Sequence, residues 1–502
     1  MRDDTIPGLA DQGVALDLLL SLLRAIQAQN IACCYWKSRR RIRAALAGDS
    51  DLDLLVARND QHRFHAVLLA CGFKPFPSVV GWGHPAIASF LGLDTASGRL
   101  VHVHLHQQLA IGSSLIKQYR LPWEDALLAG AGFDPDLPIR VLSAEAEFLL
   151  LVVRCGLELR AFDPLLLGRR KQAHEKHRAD RAAVVPYVDE AVLEALSAQL
   201  LGDDLASRVV ALARARGERD PDRRLQRELR RRLAPWRSCN AAEAAFWGCG
   251  RTLLWAAARV NRVVQAPRPA RRRAPGGGIV VAVVGVDGSG KSTLVRSLRS
   301  WLGTETSVMP LYFGTGDGRP SLLLLPFKLA ARTARPMFRS KPRTSSHGRV
   351  TERPPGLLYS LMLTLWAGVL AVEKRRKLLA ARRAASRGMI VVADRYPQNQ
   401  IAGYNDGPLL PRVTLAPRWL RRFEAGAYAL AARMPPDLVF KLDADPALIR
   451  MREPDMNPRL IERRTTDLRR LAFPGARIVS IDASRPLVEV IQAAKSAVWD
   501  ML

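Results

Sequence analysis

The sequence predicts an α/β protein with a parallel sheet around a phosphate-binding loop in its C-terminal half, a helical middle region and a smaller α+β domain in front. Three observations carry this. After residue 278, five short apolar runs alternate with helical patterns. The stretch "VVAVVGVDGSGKSTLVRSL" at 280–298 reads as strand, Gly-rich loop and helix. The stretch "GDSDLDLLV" at 48–56 alternates acids with leucines, so both carboxylates share one face of a strand.

The five runs are Ile279–Val284, Val308–Phe313, Met389–Ala393, Leu438–Leu442 and Ile478–Ile481. Apolar runs separated by helix-length gaps are the pattern of a parallel sheet with crossover helices. The loop "GVDGSGKST" matches G-x-x-x-x-G-K-[ST], with Gly285 and Gly290 as anchors. Asp287, Gly288, Ser289 and Thr293 fill the remaining donor-side positions that matter. Gly288 and Gly290 let the backbone aim successive N–H groups at one anion. Lys291 is expected on the β- and γ-phosphates of ATP, and the Ser292 hydroxyl on Mg²⁺. Leu294, Leu298 and Trp301 continue at helical spacing, so a helix N-terminus points at the same phosphates.

The motif needs partners. In "MIVVADRYP" a strand ends at Asp394, which is expected to hold Mg²⁺ or its waters, and Arg395 is suited to an acceptor phosphate. Beyond it "LDADPALIRMREPDMNPRLIERR" carries Arg450, Arg452, Arg459, Arg463 and Arg464. Phosphoryl transfer depends mainly on positive groups closing over the transferring phosphoryl. The expected catalytic set is Lys291, Asp394, Arg395 and Arg452.

Four segments are expected: 1–137 as the N-terminal domain, 138–265 as the helical region, 266–278 as a Pro-, Arg- and Gly-rich linker, and 279–502 as the P-loop domain. In the helical region "SAEAEFLLLVVRCGLELR" begins at Ser143, a plausible N-cap, with Glu145 and Glu147 near the first turn. His174 and His177 in "RRKQAHEKHRAD" read as part of a solvated charged helix rather than a metal site. Leu357–Val372 is too short to span a bilayer and reads as a buried crossover helix. With the basic run Lys374–Lys377 it leaves a peripheral membrane contact open, and a homodimer is left open too.

The formal charge is +29, from 76 Lys and Arg against 47 Asp and Glu. That suits nucleic acid, an anionic surface or phosphorylated ligands, or it reflects an Arg-rich composition. No zinc-finger spacing, aromatic RNA-binding strand or basic-leucine pattern accompanies it, which argues against specific nucleic-acid binding. The six cysteines form no C-x-x-C pair, and "MRDDTIPGLADQG" lacks the features of a signal peptide. A cytoplasmic setting is the expectation.

Residues 279–502 resemble the thymidylate kinase family of nucleoside monophosphate kinases. The loop "GVDGSGKST", the "DRY" at Asp394–Tyr396 and the Arg-rich segment ahead of "VSIDASRPLVEVI" carry the resemblance. It implies that Asp287 contacts the sugar of the acceptor, that Arg395 contacts its phosphate, and that the segment around Arg450–Arg464 is the lid. Two departures stand out. The family's Glu-Pro-Gly run is replaced by "LYFGTGDGRPS", followed by the basic insertion "RTARPMFRSKPRTSSHGRVTERPP". Past "DRY" stands "PQNQIAGYNDG" instead of the usual acceptor-site sequence. The expected acceptor is therefore a small molecule: a nucleoside monophosphate, or alternatively a sugar or surface-polysaccharide intermediate. A nucleotide-binding regulatory protein with weak turnover is a further alternative.

In the first domain, "SDLDLLV" resembles the nucleotidyltransferase superfamily of the small antibiotic-modifying type, which implies a divalent cation held by Asp51 and Asp53. Those enzymes carry an upstream Gly-Ser turn, where "YWKS" offers Lys37 and Ser38. They often use a third acid on a later strand. Here "RLVHVHLH" places His102, His104 and His106 on one face with no acid, and His104 is a candidate replacement ligand. Whether this domain is active is left open.

Overall fold

The computed structural model describes residues 15–79, 83–113, 116–158, 170–216, 219–260, 268–314, 357–402, 406–413 and 416–502. The basic insertion at 332–355 and the first fourteen residues lie outside the described residues. The chain forms two compact units. The first comprises residues 1–260 with 270–272, and the second 261–269 with 273–502.

The first unit is built on a mixed seven-stranded sheet. Its strands are β1 (Cys33–Tyr35), β2 (Leu52–Val56), β3 (Lys74–Pro75), β4 (Ile87–Asp94), β5 (Arg99–His106), β8 (Gly132–Phe133) and β9 (Arg140–Val141). They lie in the order β3-β4-β5-β2-β1-β9-β8, while β6 (Leu109–Ile111) and β7 (Tyr119–Leu121) form a separate ribbon. The period of two sorts the side chains cleanly. Leu52, Leu54 and Val56 of β2 and Val101, Val103 and Leu105 of β5 face one core, with Leu19 and Leu22 of the helix Asp17–Ala28 and Phe64 and Leu68 of the helix Gln61–Ala70. Leu55 belongs to a second core shared with Trp36 and the helix Ala144–Glu158. Strand β9 lies just past residue 137, and it pairs parallel to β1 through Tyr35 and Val141.

The helix read from Ser143 begins there, past β9. The Ser143 hydroxyl accepts from the Ala146 N–H at 3.2 Å, ahead of the helix Ala144–Glu158. The charged helix departs from expectation. Within Arg170–Val184, His177, Asp180 and Arg181 are buried rather than solvated. Ion pairing makes the burial tolerable: Arg181 reaches Asp220 at 2.6 Å, and Asp180 takes Arg40 at 3.1 Å.

The second unit carries a five-stranded sheet: β10 (Val280–Gly285), β11 (Val308–Tyr312), β12 (Ile390–Asp394), β13 (Leu438–Asp443) and β14 (Arg477–Asp482). The order is β11-β12-β10-β13-β14, and every pairing is parallel. β10 is buried at all six positions, as an apolar run covered on both faces should be. The segment read as a buried crossover helix does cross from β11 to β12, as one helix over Leu357–Ser386. Its burial is one-sided, however. Ser360, Thr364 and Ala367 are buried, whereas Leu361 and Leu365 are exposed. Thr364 satisfies its hydroxyl on the Ser360 carbonyl at 2.6 Å, which lets a polar residue sit inside. No described helix is long and apolar enough to cross a membrane.

Candidate functional site

In the second unit, β10 runs into a loop whose glycines take left-handed backbone: Gly288 has φ 84° and Gly290 φ 91°. A side chain at either would strain that turn. Gly290 caps the helix Lys291–Gly303, whose first N–H groups open toward the loop. The loop sits between β12 and β13, at the carboxyl ends of the parallel strands where open α/β sheets bind ligands.

Asp394 ends β12 beside this loop, and the Ser292 hydroxyl donates to its Oδ2 at 3.0 Å. The other oxygen, Oδ1, is buried with no hydrogen-bond partner among the described residues, and so is Ser289 Oγ. Burial pushes the Asp394 carboxyl up, opposed by Ser292, Lys291 and Arg395. A buried carboxylate oxygen without a partner, next to a hydroxyl, is a donor set that suits a hard divalent cation.

Asp287 is the electrostatic centre of the site. Its carboxylate takes Arg395 at 2.5 Å, Arg464 at 3.2 Å and Lys291 at 3.3 Å. Burial works to raise its carboxyl, but Lys291, Arg395 and Arg464 outweigh that and hold it down at about 2. Lys291 also donates to the Val286 carbonyl at 2.8 Å, and burial lowers its ammonium. Arg395 follows β12 with φ 69° and lies 3.7 Å from Asp406 as well.

The structure thus brings Asp287, Lys291, Ser292, Asp394 and Arg395 together. The five arginines of the Arg-rich segment separate. Arg464 joins the Asp287 cluster, and Arg452 donates to the Gly288 carbonyl at 3.1 Å. Arg450, Arg459 and Arg463 are exposed. Asp406 lies in the "PQNQIAGYNDG" stretch that departs from the family's acceptor-site sequence, and nothing there marks it out individually as a site residue.

The first unit holds a separate cluster. Asp53 of β2 lies opposite His104 of β5, because the two strands pair in parallel. β2 is an interior strand, so the pair is not at an exposed strand edge. His102 Nδ1 meets Asp51 Oδ1 at 2.5 Å, His104 Nδ1 meets Asp53 Oδ1 at 3.2 Å, and His106 Nε2 meets the same Asp53 oxygen at 2.9 Å. Burial would raise Asp53, but Lys37, His104 and His106 hold it well below the usual carboxylate range. Burial lowers His102 to about 4 and His106 to about 3, so both imidazoles are neutral near pH 7. Lys37, offered by "YWKS", lies over the Trp36 ring, and burial draws its ammonium down to about 7. Sequence reasoning had no signal for Lys117, whose charge also acts on Asp53 from a distant loop.

His174 shares Asp220 with Arg178 and Arg181 and lies close to Cys155. The two guanidinium groups already occupy that carboxylate.

No known family model matches the chain. It is 30% identical over 230 residues to the Uncharacterized ATP-binding protein YghS of Escherichia coli K12, covering 44% of this chain and 92% of the relative. To the Uncharacterized ATP-binding protein YghR of the same strain it is 30% identical over 232 residues, covering 44% of this chain and 86% of the relative. With nearly the whole of both relatives matched at that identity, the chain belongs to the family of YghS and YghR.

Proposed function

We propose that the second unit binds Mg-ATP and transfers the γ-phosphoryl group to a small acceptor, in the manner of a nucleoside monophosphate kinase. The carrying observation is the meeting of Lys291, the Ser292–Asp394 pair and the Asp287–Arg395–Arg464 cluster at the carboxyl ends of β10 and β12. ATP binding in YghS and YghR, as their names describe them, supports the donor half of this reading.

Each group has a defined task. The loop N–H groups and the helix beginning at Lys291 receive the β- and γ-phosphates. Lys291 leaves Val286 and Asp287 to neutralise the charge that spreads over the transferring oxygens. Ser292 Oγ and the partnerless Asp394 Oδ1 would hold Mg²⁺ or its waters. Held there, Mg²⁺ would supply neutralisation of phosphate charge. Arg395 has the planar fork that grips an acceptor phosphate, and Asp287 aims it. Arg452, beside the loop on the Gly288 carbonyl, is positioned to close over the phosphates.

The test is transfer of label from γ-labelled ATP. The full chain is incubated with Mg²⁺ and a panel of nucleoside monophosphates and sugar phosphates. Labelled acceptor, formed in proportion to ADP, is the expected product. ATP bound tightly with no label passing to any acceptor, or to water, would instead favour a nucleotide-binding regulatory protein.

A further inference from the structure

The polar face of β5 gathers a second cluster of ligand-capable side chains, in the first unit. His102, His104 and His106 alternate with Val101, Val103 and Leu105, which belong to the apolar core on the other side. The three imidazoles therefore leave the sheet on one face, together with Asp51 and Asp53. His102 and His106 are buried, and Asp53 and His104 keep only 16% and 22% of their side chains exposed. Trp36 packs its ring edge against His106 with centroids 4.8 Å apart, which fixes the imidazole plane.

The spacings separate two kinds of contact. His102 Nδ1 and Asp51 Oδ1, at 2.5 Å, are too close for an ion to lie between them, and they form a hydrogen bond. Around Asp53 Oδ1 the distances open to 3.2 Å for His104 Nδ1 and 2.9 Å for His106 Nε2. Ligands held about 2.0–2.2 Å from one ion lie roughly 3 Å apart along an octahedral edge and somewhat farther along a tetrahedral one. Both Asp53–imidazole distances meet that spacing, and the three donor atoms all lie within 4.8 Å of one another. Asp51 Oδ2, 3.6 Å from His104 Nδ1, stands beside the set.

We propose that Asp53, His104 and His106 bind one divalent transition-metal ion of the imidazole-accepting kind (Zn²⁺, Co²⁺ or Ni²⁺), with the Asp51–His102 pair bracing the site. Two imidazoles and one carboxylate suit such ions, whereas Mg²⁺ takes oxygen ligands and keeps its waters. Three ligands leave room for a water or a substrate oxygen at the ion. Two of the charged neighbours of Asp53 have contacts of their own. Arg154 is committed to Glu158 at 2.9 Å, and the Lys37 ammonium lies over the Trp36 ring.

Untagged full-length chain is stripped with chelator and titrated with Co²⁺, following the visible d–d absorption and the bound metal per chain. One tightly bound Co²⁺, displaced by Zn²⁺ and not by a thousandfold excess of Mg²⁺, is expected. His104→Gln and His106→Gln should each weaken binding by more than ~10-fold, while the metal-free melting temperature shows that each variant is folded. Should one variant fail to fold, the other decides. His174→Gln should leave the Co²⁺ spectrum unchanged. Absence of tight Co²⁺ binding, easy displacement by Mg²⁺, indifference to both β5 substitutions, or loss on His174→Gln would each overturn the proposal.

Discussion

Replacing Asp287 with Asn tests the electrostatic reading of the phosphate site, because the substitution removes a charge and almost no volume. Three cations converge on this carboxylate: Arg395, Arg464 and Lys291. Its carboxyl is lowered from 3.8 to about 2, and that depression corresponds to about 2 kcal/mol of folded-state stability. The folded-state value lies below the unfolded one, so the contribution is complete above about pH 4 and is lost as pH falls toward 2. Asp287→Asn should therefore destabilise the second unit by about 2 kcal/mol at pH 7 and by the same amount at pH 5. Calorimetry can follow this, with the transition of the second unit identified as the one that ATP shifts upward. Nucleotide affinity should hold or tighten, since Lys291 would no longer have to leave Asp287. A loss below ~0.5 kcal/mol, or a difference that grows between pH 7 and 5, would refute the claim that the three cations depend on this carboxylate.

Further substitutions separate the roles of the neighbouring groups. Arg395→Lys keeps the charge and loses the fork, so acceptor KM should rise by ~10-fold or more with ATP affinity nearly unchanged, as initial-rate kinetics would show. Asp394→Asn should raise the Mg²⁺ concentration needed for half-maximal turnover by ~10-fold or more, and an unchanged Mg²⁺ titration would remove Asp394 from the cation site. In the first unit, Ser143→Ala deletes the bond to the Ala146 N–H and should cost about 1 kcal/mol in urea unfolding, with no effect on ATP turnover.

The C-terminal sheet was legible because its signals are local. An apolar run such as Ile279–Val284 contains in itself the reason it becomes a strand, and all five expected runs are strands within a residue or two of their expected ends. The P-loop was legible for the same reason. What the sequence hid is what pairing distant segments decides. Arg464 and Arg463 are adjacent and chemically alike, yet helix phase sends only Arg464 to Asp287, 177 residues away. His102 to His106 showed their common face, but their meeting with Asp51 and Asp53 depends on the parallel pairing of β2 with β5, which no local pattern encodes. The charged segment around His177 misled for a related reason. Its composition is that of a solvated helix, and only partners such as Glu158 and Asp220, from other elements, make its burial affordable. On Leu357–Val372 the apolar content promised burial, and Ala367, Leu370 and Ala371 are buried, but so are Ser360 and Thr364, while Leu361 and Leu365 stay outside.

The most direct test of the central claim is the turnover of Mg-ATP by the full chain and by Lys291→Ala, at saturating ATP with the best acceptor found in the labelling screen. In the proposed mechanism Lys291 neutralises the transferring phosphoryl, so its loss should lower kcat by at least ~100-fold while the melting profile stays that of a folded protein. Near-normal turnover by the variant would contradict phosphoryl transfer at this loop.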